Sequence, residues 1–257
     1  MFPSDLLKAC DRHAHLLQVS HEIHPDDYIF RFLIENNSFP SKEDAVKYYF
    51  EDGQRSSIKL KSILEDLVGE EKISALKILE FASGYGCVTR HLLNCFSEKQ
   101  LTSCDIHPQA IEFLQETLGV RTMRSKDSAE EFEANDQFDV VFALSFFSHL
   151  PKDTFGKWIE ALSSLLKPEG FLIFTTHGHL SQKFLPECKF DEEGFFFHPS
   201  SEQKDLETSV YGLSASKFEY VYREASRLTH LKMNRYQEAF WWGHQDLYIL
   251  KNTKGSS

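Results

Sequence analysis

Apolar residues in the first 75 positions recur at helical spacing. In SKEDAVKYYFEDG, Ser41 is placed to cap a helix with Asp44 three residues on, and Gly53 is expected to end it. From Ile58 to Val68, Leu60, Ile63, Leu64 and Leu67 fall on one helical face. No segment before residue 76 alternates as a strand does. Residues 1–75 therefore read as an N-terminal helical region, serving either as a cap over a site or as packing against a sheet.

From residue 76 the period changes to strand–helix alternation. LKILEFA is the first strand, and the helix after Gly86 puts Val88, Leu92 and Phe96 on one face. LTSCD is a short second strand, and the helix after Pro108 is expected to bury Ile111, Leu114 and Leu118. VRTMRS makes a weak third strand and FDVVFALS a strong fourth. Phe155, Trp158, Ile159, Leu162 and Leu166 mark a helix ending near KPEG, before FLIFTT as the fifth strand. Alternation of this kind implies a mostly parallel sheet with helices on both faces.

The pattern breaks over 180–212, where Pro186, Pro199 and the aromatic EEGFFFHP stand in what reads as a long ordered loop beside the site. SASKFEYVYREA then reads as a helix with a capping box from Ser216 and Glu219. Two strands, around LTHLKMNRYQEAF and QDLYILKN, are joined by few residues and should be antiparallel neighbours. The tail 253–257, TKGSS, reads as frayed. The fold class is α/β, a Rossmann-like seven-stranded, mostly parallel sheet with an antiparallel last strand, spanning 76–252 behind the N-terminal helices.

Composition narrows the function. The formal charge of −11 and the lack of long basic runs argue against a nucleic-acid partner. No apolar run reaches the roughly 20 residues of a membrane span, and no signal-type segment opens the chain. The 5 cysteines are scattered without a CxxC pair, which suits reduced thiols and a cytoplasmic location. The 23 phenylalanines call for an aromatic core or an aromatic ligand cavity.

Candidate chemistry gathers at the carboxyl ends of the strands, where open parallel sheets bind ligands. The stretch ILEFASGYG sets an acid, Glu80, inside an apolar strand just before a glycine turn. Gly84 and Gly86 let that turn approach a ligand closely. Asp105 ends the second strand, where a carboxylate can accept both hydroxyls of a ribose. Asp127 and Ser128 follow the third strand, where an adenine amino group could be met. A dinucleotide fingerprint would want a third glycine where Thr89 stands, and it does not require the acid in the strand, which disfavours NAD.

From about residue 76 to 252 the chain resembles the class I S-adenosylmethionine-dependent methyltransferases. The resemblance rests on Glu80-Phe81-Ala82-Ser83-Gly84-Tyr85-Gly86, on Asp105, on FDVVFALSFFSHL and LKPEGFLIFTTHG, and on the terminal strand pair. The usual motif has a glycine where this chain has Ala82. The resemblance implies S-adenosylmethionine as cofactor, held by Glu80, Ala82, Ser83, Gly84, Gly86, Asp105, Ile106, Asp127, Ser128 and Leu144. YYFEDGQRS, FFSHL, FTTHG, YGLS and WGHQDLYIL further resemble a bacterial subgroup often found beside glycosyltransferases, which implies a small-molecule or glycan acceptor. A catalytically inactive binding or regulatory protein on the same fold is the alternative, ahead of an NAD enzyme.

Methyl transfer is an in-line displacement on a sulfonium, so placement and exclusion of water matter most. A hydroxyl nucleophile also needs a base, and histidine suits neutral pH. Of 12 histidines, His149 follows strand four, His177 follows strand five, and His244 lies in the turn before the last strand. These are the candidate bases. Tyr211, Trp242, Gln245, Asp246 and Phe196 are candidate acceptor contacts, with Asp246 also a candidate partner to a histidine and Phe195 to Phe197 a candidate lid. A metal set from His177, His179, His198 and Asp246 is not expected. Catechol-type metal-dependent enzymes place an acid after strand four, where this chain reads Leu144-Ser145-Phe146.

Overall fold

The structure is a computed structural model that describes residues 2–36, 38–132, 134, 136–201, 203 and 206–255. The chain divides into two compact units, 1–125 and 126–257. Its main sheet has seven strands in the order β3-β2-β1-β4-β5-β9-β8, and a second sheet pairs β6 with β7.

The first unit holds α1 (Ser4–Leu17), α2 (Tyr28–Glu35), α3 (Lys42–Val68), β1 (Ile78–Phe81), α4 (Thr89–Cys95), β2 (Leu101–Asp105), α5 (Pro108–Leu118) and β3 (Arg121–Arg124). The register of β1 on β2 and of β2 on β3 is parallel. Ser41 caps α3 as expected, accepting the Asp44 N–H at 3.1 Å. Gly53 does not end that helix, which runs on to Val68. A Cβ at Gly53 would overlap the Cys87 carbonyl and the His91 ring. The glycine is there so that α3 can lie against the start of α4, and this contact outweighs its weak helix propensity. Leu6, Cys10, Phe30, Val46, Tyr49 and Phe50 form one buried cluster among the N-terminal helices. On α5, Ala110 and Leu114 are buried whereas Ile111 and Leu118 are only half-buried, because the helix covers the edge of the sheet.

The second unit holds β4 (Phe138–Ala143), α6 (Lys152–Ser164), β5 (Leu166–His177), β6 (Phe195–His198), β7 (Leu213–Ser216), α7 (Phe218–Ser226), β8 (Leu231–Trp241) and β9 (Gln245–Asn252). β4 and β5 are parallel, whereas β9 runs antiparallel to both β5 and β8. Much of the aromatic content is core. Phe147 lies 4.4 Å from Phe174 and 5.0 Å from Phe155, which in turn meets Phe195 and Tyr220.

Three expectations change here. Phe195, Phe196 and Phe197 lie in a strand, β6, paired with β7, and Phe195 is buried core. Ser216 makes no capping box, since it ends β7 and its hydroxyl bonds to Thr176 Oγ1 at 2.8 Å, while Lys217 caps α7 without a side-chain bond. Leu166 opens β5 rather than belonging to the helix, since α6 ends at Ser164. In the 253–257 tail, Thr253 donates its backbone N–H and hydroxyl to the His230 carbonyl. Residues 256–257 of that tail, and 202, 204 and 205 of the 180–212 segment, lie outside the described residues.

Candidate functional site

Glu80 is 4% exposed and sits in a fully buried strand. Its Oε2 accepts the hydroxyls of Thr89 at 2.6 Å and Ser103 at 3.1 Å, and its Oε1 accepts none among the described residues. Burial pushes its pKa up to about 7, against the lowering effect of those two hydroxyls. The turn that follows passes three times through the left-handed region, at Ala82 (φ 57°), Gly84 (φ 56°) and Gly86 (φ 81°). Ser83 anchors it by donating its N–H and hydroxyl to the Cys104 carbonyl at 3.0 and 3.2 Å. A Cβ on Gly86 would strike Leu114 and Leu118, so that glycine serves packing. A Cβ on Gly84 would meet nothing within 4 Å, so that glycine borders open space.

Asp105 is buried at the end of β2. Its Oδ2 accepts the Gly84 N–H at 2.8 Å, and its Oδ1 accepts the His107 N–H at 3.0 Å and pairs with His107 Nδ1 at 2.8 Å. A carboxylate oxygen accepts about two donors, so Oδ2 has room for one more. Asp105 thus shapes the glycine turn as well as offering a single free acceptor position. Ile106 follows it, half-buried, and its carbonyl accepts Arg124 Nε at 3.3 Å.

Two residues here had no signal in the sequence. Arg90, 2% exposed, donates to the carbonyls of Gly86, Ser20 and Glu22 at 3.0, 2.7 and 3.0 Å, and so ties the segment before α2 to the glycine turn. Its Nη2 also reaches the Tyr49 hydroxyl, which donates to buried Asp27 at 2.7 Å. His107 is the other. On the same turn, His24 stacks on Tyr85 at 4.5 Å between ring centroids. An arginine on a helix face reads as solvated surface until the carbonyls that surround it are known.

In the second unit, Asp127 is exposed and the Ser128 hydroxyl accepts the Glu131 N–H at 3.3 Å. Leu144 is half-buried just beyond β4. Ser145 follows in the left-handed region (φ 62°), and its N–H goes to Thr175 Oγ1 at 2.8 Å. Thr175 donates to Gln245 Oε1 at 2.6 Å, and Gln245 Nε2 donates back to Ser145 Oγ at 2.8 Å. Gln245 is thereby committed to joining the ends of β4, β5 and β9.

The three candidate histidines are held alike. His149 Nδ1 meets the Gly212 carbonyl at 2.8 Å, His177 Nδ1 the Ser214 carbonyl at 3.0 Å, and His244 Nδ1 the Trp242 carbonyl at 3.1 Å. A carbonyl only accepts, so in each ring Nδ1 carries the proton and Nε2 keeps its lone pair. Burial, then the proximity of His149, lowers the His177 pKa to about 3, so its ring is neutral at pH 7. The His177 and His244 rings lie 5.7 Å apart and nearly parallel, and His149 stacks on half-buried Tyr211 at 4.5 Å. Trp242, half-buried with φ 53°, faces His244 at 6.2 Å.

Asp246 does not pair with a histidine. Its carboxylate accepts the Ala239 N–H at 2.9 Å and the Tyr236 hydroxyl at 3.1 Å, fastening a register shift in β8. Burial raises its pKa to about 6. Phe196 lies half-buried in β6 opposite Ala215. Among the described residues no group of three or more His, Cys, Asp or Glu is arranged to hold a metal ion, and no helix is long and apolar enough to cross a membrane.

Residues 79–172 match a methyltransferase domain family. A malonyl-[acyl-carrier protein] O-methyltransferase of Acetivibrio thermocellus is 28% identical over 124 residues, which are 48% of this chain and 43% of that one. A second, from Halalkalibacterium halodurans, is 26% identical over 47% of this chain and 46% of that one. The chain thus spans about half the length of the curated relatives it matches. Among solved structures, an S-adenosylmethionine-dependent methyltransferase from Clostridium acetobutylicum superposes with a TM-score of 0.56 at 15% identity, covering 88% of this chain and 96% of that one. An S-adenosylmethionine-bound amino pentose methyltransferase from Micromonospora echinaspora gives 0.57 at 13% identity, covering 85% and 99%.

The residues present fit that cofactor. Open space beside Gly84 admits a ligand, the free Oε1 of Glu80 suits an ammonium, and the remaining place on Asp105 Oδ2 suits a hydroxyl. Sheet order and glycine turn agree with the methyltransferase domain matched over residues 79–172.

Proposed function

We propose that the protein transfers a methyl group from S-adenosylmethionine to an oxygen atom of a small-molecule or glycan acceptor. Bound there, the cofactor supplies an electrophilic methyl on a positively charged sulfur. Glu80 takes its amino group, Asp105 one ribose hydroxyl, the Ala82–Gly86 turn its backbone edge, and Ile106, Asp127, Ser128 and Leu144 its adenine. His177 is the base, with His149 and His244 beside it, and Tyr211 and Trp242 offer flat faces to the acceptor.

The observation that carries this reading is the fixed tautomer of His177. With Nδ1–H given to Ser214, Nε2 presents a lone pair at the carboxyl end of β5, where the fold binds ligands. A pKa near 3 makes it a weak base at rest. It is strong enough once the O–CH3 bond begins to form, because the hydroxyl is then becoming an oxonium, a far stronger acid. The curated relatives are O-methyltransferases, which supports oxygen as the target. The five free thiols support a reducing, cytoplasmic setting.

The test supplies S-adenosylmethionine labelled with 13C at the methyl to the protein and pools of sugars, glycans, phenols and amines. An O-methyl signal in the product is expected. Bound cofactor with transfer only to nitrogen, or with no transfer to any pool, overturns the oxygen reading.

A further inference from the structure

Resting on that reading, we infer that the acceptor is an uncharged hydroxyl compound, methylated to an ether, and that Ser145 orients it as a hydrogen-bond donor. Thr175 Oγ1 already accepts the Ser145 N–H, so its own proton goes to Gln245 Oε1. The Gln245 amide must then turn its NH2 toward Ser145, and it donates into Ser145 Oγ at 2.8 Å. The ring closes with one lone pair of the Ser145 oxygen taken, and no acceptor for the Ser145 hydroxyl proton exists among the described residues. That hydroxyl therefore has a proton to give.

Register places this donor beside the proposed base. Thr175 and His177 are two residues apart on β5, so they share a face of the sheet. Gln245 is the cross-strand partner of His177 in the β5–β9 ladder. Directly opposite residues lie about 4.5–5.5 Å apart at Cβ, so the ring adjoins the His177 imidazole. Ser145, His177 and His244 are all half-buried, reachable by a small ligand yet largely dry.

The cluster thus offers one hydroxyl donor and lone pairs on the Nε2 atoms of His149, His177 and His244. None of these side chains hydrogen-bonds to a Lys or Arg among the described residues. An ionised carboxylate could accept from Ser145 but brings no proton, so it would leave Nε2 of the neutral His177 unpaired in a dry site. A hydroxyl compound with a neighbouring oxygen matches both kinds of group. Its reacting O–H proton passes to His177 Nε2, its oxygen takes the methyl, and the bonding pair of the broken S–C bond stays on sulfur. Its neighbouring oxygen accepts from Ser145. This separates the chain from the curated relatives it matches, which are malonyl-[acyl-carrier protein] O-methyltransferases.

The test has two parts. Methyl transfer from S-adenosylmethionine is compared on a pool of neutral sugars and phenols and on a pool of carboxylates that includes a malonyl thioester. An alkali-stable ether from the first pool is expected. An alkali-labile ester, or no transfer to the first pool by protein that binds the cofactor, overturns the acceptor class while the cofactor reading stands; absence of cofactor binding overturns the underlying reading itself. With the acceptor in hand, Ser145→Ala and Gln245→Glu are assayed. The glutamate keeps the size of the glutamine but removes its NH2, so Ser145 would turn its proton inward. Both variants should raise the acceptor KM by about 3–10-fold, the worth of one neutral hydrogen bond, with the cofactor Kd near wild type in both and the Tm near wild type in Ser145→Ala. An unchanged acceptor KM in both, or a loss confined to Tm, overturns the role of Ser145.

Discussion

The carboxylates of the first unit and the histidines of the second are positioned in opposite ways. Glu80 and Asp105 collect donors from their immediate surroundings: two hydroxyls on one oxygen of Glu80, and a turn N–H plus the His107 groups on Asp105. What each has left for a ligand is an unused acceptor position. The histidines instead give away their Nδ1 protons, to carbonyls 63 residues away for His149 and 37 for His177. What they have left is a lone pair of known direction. The first arrangement selects a ligand bearing positive charge and hydroxyls. The second selects one with a proton to lose.

The sharpest way to break this contrast is to remove the proposed base. His177→Ala should lower kcat by about 10²–10⁴-fold with the cofactor Kd unchanged. Because burial holds the His177 pKa near 3, the neutral ring persists throughout pH 5–8, so His177 should add no acid limb to kcat in that range. Full turnover in His177→Ala, with turnover lost in His149→Gln or His244→Gln, would move the role to one of those residues.

At the other pole, Gly84→Val should abolish measurable cofactor binding. Its side chain would enter the open space beside the turn, and a branched residue at φ 56° adds about 1–2 kcal/mol of strain. Asp105→Ala should weaken binding at least tenfold, since a hydrogen bond to a charged group is worth about 1.5–3 kcal/mol. It should also loosen the turn, because the Gly84 N–H loses its acceptor. Calorimetry reads both. Unchanged affinity in Asp105→Ala would leave the carboxylate with a purely structural part.

The same contrast explains what could be read without coordinates. The glycine turn was legible because its chemistry is local: Glu80, Gly84 and Gly86 lie within seven residues, and the strand on either side of Glu80 is apolar. The succession of strands and helices and the antiparallel last pair followed from period and loop length. Gly53 misled because a helix-breaking residue was needed for close approach to Cys87, a contact invisible to propensity. FFFHP misled because a short strand bounded by Gly and Pro resembles a loop until its partner, β7, is identified. Gln245 and Asp246 open β9 just after a turn whose composition fits many roles, and only the hydrogen bonds showed that Asp246 fastens β8 and Gln245 closes the Ser145 ring. Ser145 itself carried no signal beyond its place after β4.

Cofactor binding should also depend on pH through the first unit. The Glu80 carboxyl is neutral below about pH 7 and ionised above it, because burial raises its pKa. A cationic ligand favours the ionised form, so affinity rises with pH through 7 and falls below it, by about fivefold between pH 7 and pH 6. The ligand-free fold responds with the opposite sign. A raised carboxyl pKa contributes stability that is fully present below the unfolded value and is lost as pH rises through 7. Glu80→Gln should flatten both profiles. An affinity that is level from pH 6 to 8 in the wild type would remove the ammonium from Glu80.

The smallest effect lies inside the turn itself, at the position where the chain departs from the usual glycine. Ala82 stands at φ 57°, where a Cβ costs about 1–2 kcal/mol against the following carbonyl. Replacing it with glycine relieves that strain but frees the unfolded chain, which costs roughly 0.5–1 kcal/mol. The balance favours Ala82→Gly by up to about 1 kcal/mol, or a rise in Tm of about 2–4 °C in a chain of this size. Ala82→Val should move Tm the other way, because branching at Cβ adds to the clash. The cofactor Kd should barely change in the glycine variant, since Ala82→Gly keeps the backbone groups of the turn and leaves Gly84 and its bond to Asp105 in place. A glycine variant that melts lower than wild type would mean that Ala82 packing, not its backbone conformation, decides the stability of the turn.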